Sequence, residues 1–460
     1  MNITVLSGSP KGEQSVTLQY ALFLRKKFPQ HAFRFRHVAQ QINALERDPA
    51  AFQAALDDVK SADAVMWAFP LYYMLVHGSY KRFIELIWER QAQSVFAGKY
   101  ATAISTSVHF YDHTAHNYMQ AICDDLDMRY LAGYSAKMND LTIEAERQNF
   151  LRFAEQTFAA ITAKQPTVKA YAPISPPTAA YRSATEVRPA QAGNRRIVIV
   201  TDRCDEQTNL GQMVSRMKAA FGGKADIVDL SALDMKGGCL GCIRCGYDNT
   251  CVWDGKDGHR ECYVSRAQPA DVLIFAGTMR DRYLSARWKT FFDRTFFRGH
   301  TPSLMGKQIG CLISGALRQN QNLREILQAH AELEQCNLTG IVSDESGDAA
   351  EIDAQIDRLA AQTIWCAERG YRAPQTFLGL GGHLIFRDMI WGFGRFFFQA
   401  DHRFYKAHRL YDFPQKDLKA RLLHVLGFVV MKIPALRRRF YTKEMVPGMV
   451  RGLQKVVAEA

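Results

Sequence analysis

The sequence lacks any run of about 18 or more apolar residues, the length that an α-helix needs to cross a bilayer. We therefore predict no membrane-spanning segment. It also lacks a secretory leader, because Met1 is followed at once by a short apolar strand at residues 3–6. Its 10 cysteines are too few for a secreted disulfide scaffold of 460 residues. These absences favour a reducing compartment, and we expect a cytoplasmic protein, or one held at the inner face of a membrane.

Net positive charge is small in most of the chain. Of the net charge of +12, residues 371–460 supply +10, with 16 Lys and Arg against 6 Asp and Glu. The basic residues of this tail are interleaved with large apolar ones, which disfavours nucleic acid as a partner. Its apolar run at 422–431 is too short to span a bilayer. We predict a helical, basic and aromatic region that packs on the other domains, lies on a membrane surface or docks on a partner.

The remaining chain alternates apolar strands with helical stretches, which predicts an α/β protein with parallel sheets covered by helices on both faces. The pattern occurs twice. Residues 62–83 match residues 270–291 without a gap at an offset of 208, and the first strands match at an offset of 194. We predict two doubly wound domains, 1–162 and 195–370, joined by a proline-rich linker at 163–194 and followed by the tail at 371–460.

Three loops at strand ends of the first domain suggest a ligand site. The first strand leads through SGSPKGEQSVT (7–17) into a helix, an arrangement of small and hydroxylated residues that suits a phosphate. It has neither nucleoside-triphosphate nor dinucleotide glycine spacing, and it is also compatible with an ordinary capped turn. The segments WAFPLYY (67–73) and STSVHFY (105–111) lie at the carboxyl ends of the next two predicted strands, 64–69 and 100–105, where ligands of open parallel sheets bind.

These motifs resemble the flavodoxin-like NADPH-dependent FMN reductase superfamily, and the resemblance covers both domains but not the tail. It implies an FMN phosphate on Ser9, Lys11, Ser15 and Thr17. It implies that the isoalloxazine ring lies against Pro70, Leu71, Tyr72 and Tyr73, with Ser105, Thr106 and Ser107 closing the third side. No catalytic acid or base is predicted.

The second domain departs from this pattern. Its first loop carries Asp202, Asp205 and Glu206, which would repel a phosphate, although Arg203 offsets part of the repulsion. The proline and tyrosines of the second loop are replaced by GTMRD (277–281). We therefore predict FMN in the first domain rather than the second.

The second domain also holds an insertion of net 14 residues with four cysteines spaced C-x2-C-x2-C-x5-C: Cys239, Cys242, Cys245 and Cys251. Soft thiolates select iron–sulfur clusters or zinc, and structural zinc usually takes two more widely separated C-x2-C pairs. We predict a [4Fe–4S] cluster; zinc and metal-free thiols remain open. The motif resembles the iron–sulfur flavoprotein branch of the superfamily at all four positions.

These features together predict an oxidoreductase that passes electrons between NAD(P)H or a reduced ferredoxin, FMN and the cluster. The acceptor is a small molecule or a protein, and a homo-oligomer is possible. Two alternatives remain: a cluster-free NAD(P)H:quinone, nitro or azo reductase, and a non-catalytic electron carrier or redox sensor.

Overall fold

The computed structural model describes residues 1–459 and divides the chain into two compact units, Met1–Phe404 and Tyr405–Ala460. The first unit contains two separate sheets, each with five parallel strands and the first with a sixth, antiparallel strand, and the second unit is helical.

The first sheet is built from residues 2–137. Its strands are β1 (Asn2–Ser7), β2 (Ala32–Arg36), β3 (Ala64–Tyr72), β4 (Leu75–Val76), β5 (Tyr100–Ser107) and β6 (Arg129–Lys137). The order is β2-β1-β3-β5-β6, all parallel, and β4 pairs with β3 as a short antiparallel hairpin. The helices are α1 (Val16–Lys27), α2 (Ile42–Arg47), α3 (Pro49–Lys60), α4 (Gly78–Glu89), α5 (Asp112–Asp125) and α6 (Glu144–Thr162). The first six residues of β3 are fully buried, as expected for a strand covered on both faces.

The second sheet repeats this plan. Its strands are β7 (Ile197–Thr201), β8 (Asp226–Asp229), β9 (Val272–Thr278), β10 (Gln308–Ser314) and β11 (Asn337–Ser343), in the order β8-β7-β9-β10-β11. The helices are α7 (Asn209–Ala220), α8 (His259–Cys262), α9 (Ala286–Arg294), α10 (Gln321–Leu333) and α11 (Ala349–Arg369). The cysteine run lies between β8 and β9.

Both sheets have the strand order 2-1-3-4-5 of flavodoxin-like proteins, so the predicted fold class is confirmed. The strands extend past the predicted ends, β3 to Tyr72 and β5 to Ser107. Pairing continues there through Pro70 and Thr106. The extensions were not predicted because Pro70 lacks an N–H donor, which disfavours a central strand, and because residues 106 and 107 are polar.

The two sheet domains meet through α4 and α9, and the contact is reciprocal. The Gly78 amide at the start of α4 donates to Asp293 of α9 (2.7 Å), and the Ala286 amide at the start of α9 donates to Glu85 of α4 (2.7 Å). Both pairs of equivalent positions are separated by the offset of 208 found in the sequence. The two helices are therefore related by a local two-fold arrangement, as in a symmetric dimer interface.

The linker contains no helix or strand between Thr162 and Ile197, a stretch that the structure describes throughout. It is fixed on the second domain by the buried Asp353 of α11. The Asp353 carboxylate accepts hydrogen bonds from the Tyr181 hydroxyl (2.6 Å) and from the amides of Ala184 and Thr185 (2.8 Å each). The linker is thus ordered where it packs.

Beyond α11 the chain is helical. The helices are α12 (Phe377–Trp391), α13 (Gln399–Ala407), α14 (Leu418–Met431), α15 (Pro434–Arg439) and α16 (Met445–Glu459). Among residues 1–459, no helix has the length and apolar character needed to cross a membrane.

Candidate flavin and metal site

Three loops of the first domain lie side by side at the carboxyl edge of its sheet. Ser7 at the end of β1 pairs with Ala68 of β3, and Pro70 of β3 pairs with Thr106 of β5. The Gly8 amide donates to the Ala68 carbonyl (2.7 Å) and fixes the start of the first loop. The three predicted segments are therefore neighbours, at the edge where parallel sheets bind ligands.

The first loop places two serine side chains at or near the start of α1. Ser15 caps α1 by accepting a hydrogen bond from the Leu18 amide (3.2 Å), and Ser9 accepts one from the Lys11 amide (3.2 Å). Both serines are buried and use their oxygens as acceptors, so each hydroxyl hydrogen is still available to a ligand. The positive end of α1 points toward the same place.

The third loop is joined to the first by a buried hydrogen bond between the hydroxyls of Thr17 and Thr106 (2.6 Å). Ser107 accepts from the His109 amide (2.8 Å), and Ser105 is bonded to Nε2 of His116 (2.8 Å). Because each hydroxyl has a protein partner, these side chains are held in fixed positions. Burial lowers the pKa of His116 to about 4, so its ring is neutral.

The second loop is a tight hairpin between β3 and β4. Tyr73 and Met74 both have positive φ angles, 37° and 64°. The Tyr73 ring meets Phe296 of the second domain edge-on (6.3 Å between centroids), and Tyr72 meets His77 edge-on (4.8 Å). Burial raises the pKa of both tyrosines well above the ordinary value. Pro70 and Leu71 are half-buried beside them.

The cysteine loop of the second domain packs on these elements of the first. The Cys239 carbonyl is bonded to Nε2 of His77 (2.8 Å). Gly241 lies against Lys11 and Tyr72, since a Cβ there would overlap the Tyr72 hydroxyl and stand 2.7 Å from Cε of Lys11. The predicted metal-binding segment therefore contacts both a predicted phosphate-binding residue and a predicted ring-binding residue.

Buried polar contacts hold the base of this loop. Arg294 of α9 donates to the Gly237 carbonyl (2.8 Å) and forms a buried ion pair with Asp257 (2.7 Å). The guanidinium group also lies over the Trp253 ring (5.3 Å to the centroid), and the Trp253 indole donates to the Gly238 carbonyl (3.1 Å). The loop is thus anchored to the helix that forms the contact between the domains.

The four predicted ligands are free thiols of differing exposure: Cys245 is buried, Cys239 and Cys251 are half-buried, and Cys242 is exposed. Burial, with smaller contributions from the other three thiols of the run, raises the pKa of Cys245 to about 12. The Gly241 amide points at the Cys239 sulfur (3.5 Å).

Within residues 1–459, however, no group of three or more His, Cys, Asp or Glu side chains is close enough to hold a single metal ion. Tetrahedral zinc requires sulfur atoms about 2.3 Å from one centre. A cluster of four irons separates its thiolate ligands more widely than one ion does. The described residues thus contain no assembled metal site, and the cluster stays a prediction from the cysteine spacing.

The corresponding edge of the second sheet is different. A cavity of about 800 Å³ lies there between the two domains. Its lining from the second domain has both signs of charge, including Asp202, Asp205, Arg203 and Arg280. The Asp202 carboxylate is bonded to the Ser285 hydroxyl, and burial raises its pKa. The lining from the second domain therefore mixes acidic and basic side chains, whereas the first loop of the first domain offers hydrogen-bond donors.

The sequence did not predict the involvement of His77 or His116. His77 caps α4 by accepting from the Ser79 amide (3.1 Å), and Ser285 caps α9 at the equivalent position in the second domain. That equivalence was visible in the alignment at offset 208 and marked His77 as a helix cap. Its contact with the cysteine loop depends on how the domains pack.

Comparison with known proteins is consistent with the geometry of the first domain. Residues 1–140 match the family model of NADPH-dependent FMN reductase. No match was found among curated proteins.

Solved structures that match part of this chain include three flavin or NAD(P)H oxidoreductases. The apo form of an NADH:FMN oxidoreductase is 20% identical, with 35% of this chain and 87% of that chain covered and a TM-score of 0.29. The NAD(P)H:acceptor oxidoreductase FerB from Paracoccus denitrificans is 19% identical, with coverages of 28% and 74% and a TM-score of 0.25. An FMN-dependent NADH-azoreductase from Bacillus anthracis, in complex with FMN, is 11% identical, with coverages of 36% and 99% and a TM-score of 0.26.

Proposed function

We propose that this protein is an FMN-dependent oxidoreductase that takes electrons from NAD(P)H, or from a reduced ferredoxin, and delivers them through a [4Fe–4S] cluster to a further acceptor. The observation that carries the proposal is the contact of Gly241, inside the cysteine run, with Lys11 and Tyr72 of the predicted flavin site. FMN accepts two electrons as a hydride and a cluster carries one at a time, so the pair converts two-electron into one-electron transfer.

The chain's own residues bind and orient the flavin. Ser9, Ser15 and the positive end of α1 would hold its phosphate, and Lys11 would balance the phosphate charge. Tyr72 would lie between the flavin ring and the cysteine loop, where burial keeps its hydroxyl protonated. No side chain is assigned a proton-transfer role.

Cys239, Cys242, Cys245 and Cys251 would hold the cluster. Cys245 is buried and Cys239 is half-buried, and the Gly241 amide supplies a hydrogen bond to the Cys239 sulfur. Both features adjust the potential of such a cluster.

Anaerobic purification followed by iron, sulfide and flavin analysis tests this proposal. We expect one FMN and about four irons per chain. Cys242→Ser should lose iron, whereas Cys204→Ser, at a half-buried cysteine outside the run, should keep it. Protein that contains neither iron nor FMN would refute the proposal.

The cluster-free reductase is the second candidate, and one observation favours it: the described residues contain no set of side chains close enough for a single metal ion. It predicts flavin without iron, together with NADH or NADPH oxidation by a quinone or azo acceptor that Cys242→Ser leaves unchanged. A carrier or sensor would contain both groups and oxidise neither nucleotide.

A further inference from the structure

The C-terminal unit exposes more apolar surface than a water-facing helical segment normally does. In α14 the exposed side chains include Phe428 (74%) and Leu422 (64%), and in α16 they include Val457 (75%) and Leu453 (66%). The others of these two helices are Leu418, Leu423, Val425, Leu426, Val429, Val430, Met445, Met449, Val450 and Val456. Contiguous exposed apolar surface of this kind marks an interaction site.

The apolar residues are arranged on faces. In α16, Met449, Leu453, Val456 and Val457 recur at spacings of three and four residues, which places them on one side of the helix. The basic residues of α16, Arg451 and Lys455, are four residues apart and fall on the opposite side. The helix is therefore amphipathic and has no apolar partner on its exposed side.

The net charge of the C-terminal unit indicates what kind of surface it binds. Residues 405–459 contain 12 Lys and Arg against 4 Asp and Glu, a net charge of +8. Three of these cations are consecutive, Arg437, Arg438 and Arg439, between the two apolar helices. Basic residues that flank exposed apolar faces match the anionic headgroups and acyl boundary of a negatively charged bilayer.

The helix lengths define the mode of binding. The 14 residues of α14 extend for about 21 Å, which is shorter than the bilayer core of about 30 Å. We propose that α14 and α16 lie in the interface of an anionic lipid bilayer, with their apolar side chains inserted and the arginine cluster on the headgroups. This inference does not depend on the flavin or the cluster.

Flotation of the full chain with lipid vesicles tests the proposal. We expect binding to vesicles of mixed phosphatidylserine and phosphatidylcholine and little binding to phosphatidylcholine alone, with binding that falls as salt rises. The double variant Leu422→Glu/Leu426→Glu should reduce the bound fraction about tenfold or more, because it places charges on the inserted face. The triple variant Arg437→Glu/Arg438→Glu/Arg439→Glu should do the same through charge repulsion.

A matched control reverses three exposed charges elsewhere: Lys60→Glu, Lys164→Glu and Lys218→Glu, none of which is in the C-terminal unit. This control should bind like the unmodified chain, and all variants should keep the same thermal unfolding midpoint. Absence of binding to the mixed vesicles would overturn the proposal and point to a protein partner instead. Equal loss in the control and the arginine variant would also overturn it, because overall charge would then suffice.

Discussion

Asp293 is expected to be among the most sensitive positions at the contact between the two sheet domains. It is fully buried, as is Lys289 one helical turn before it, with which it forms an ion pair. Its other oxygen accepts the hydrogen bond from the Gly78 amide of the first domain (2.7 Å). Burial lowers the pKa of Lys289, and attraction by Asp293 only partly offsets this effect. The charged form of Lys289 is thus stabilised by a single carboxylate, that of Asp293.

The equivalent lysine in the first domain has two carboxylates. Lys81 pairs with Glu85 (2.8 Å) and with Asp281 of the second domain (2.9 Å). Burial alone would lower the pKa of Lys81, but the attraction by these two carboxylates is stronger, so the pKa is raised. Asp293→Ala leaves a buried ammonium without a partner, which costs about 3–5 kcal/mol. Glu85→Ala leaves Lys81 paired with Asp281, so we expect a smaller loss of about 1–3 kcal/mol.

Urea unfolding of both variants measures the difference between them. A loss of about 3–5 kcal/mol is a large part of the 5–15 kcal/mol that stabilises a typical domain, so the shift in midpoint should be large. The double variant Lys289→Met/Asp293→Leu removes both charges and should recover most of the loss, apart from the unpaired Gly78 amide. If Asp293→Ala proves no more destabilising than Glu85→Ala, then the number of carboxylates paired with each buried lysine does not determine the loss of stability.

Three further predictions concern the site and the linker. Gly241 and Gly255 both have positive φ, but only at Gly241 would an added Cβ overlap neighbouring side chains. Gly241→Ala should therefore weaken the retention of flavin and iron. Gly255→Ala introduces only the backbone strain and should leave both unchanged. Thr17→Val should weaken FMN binding about 10-fold or more by fluorescence titration, whereas Thr208→Val in the second domain should leave it unchanged; equal effects would argue against a first-domain site. Burial raises the pKa of Asp353, but its hydrogen bonds lower it more, and the net pKa is below the ordinary value of about 3.9. Its stabilisation is therefore complete above that pH and is lost as pH falls below it, so Asp353→Asn should destabilise the protein at neutral pH and flatten acid unfolding; an unchanged acid transition would contradict this.

The fold was largely predictable because parallel strands covered on both faces are continuous apolar runs, and each of the predicted strands at residues 3–6, 64–69 and 100–105 is present. That the three predicted ligand loops are neighbours was predictable too, since strand ends in such a sheet share one edge. The contacts of His77 with Cys239 and of Gly241 with Tyr72 were not predictable. They join residues more than 150 positions apart, and no local pattern records which surfaces of two domains meet.

The local two-fold arrangement gives a physical reason why the cysteine run stands in one domain only. The run belongs to the second domain but packs on the predicted flavin loops of the first, next to Lys11 and Tyr72. A loop that reaches across the contact between the domains can serve the proposed site of its neighbour, so the first domain needs no insertion of its own beside its predicted phosphate-binding serines. At the edge of the second sheet, Asp202 and Arg280 line a cavity to which the first domain contributes residues of α2 and α4, including Glu46 and Arg82. We infer that the insertion in the second domain and the altered first loop of that same domain are two parts of one specialisation, in which each domain supplies what the other lacks.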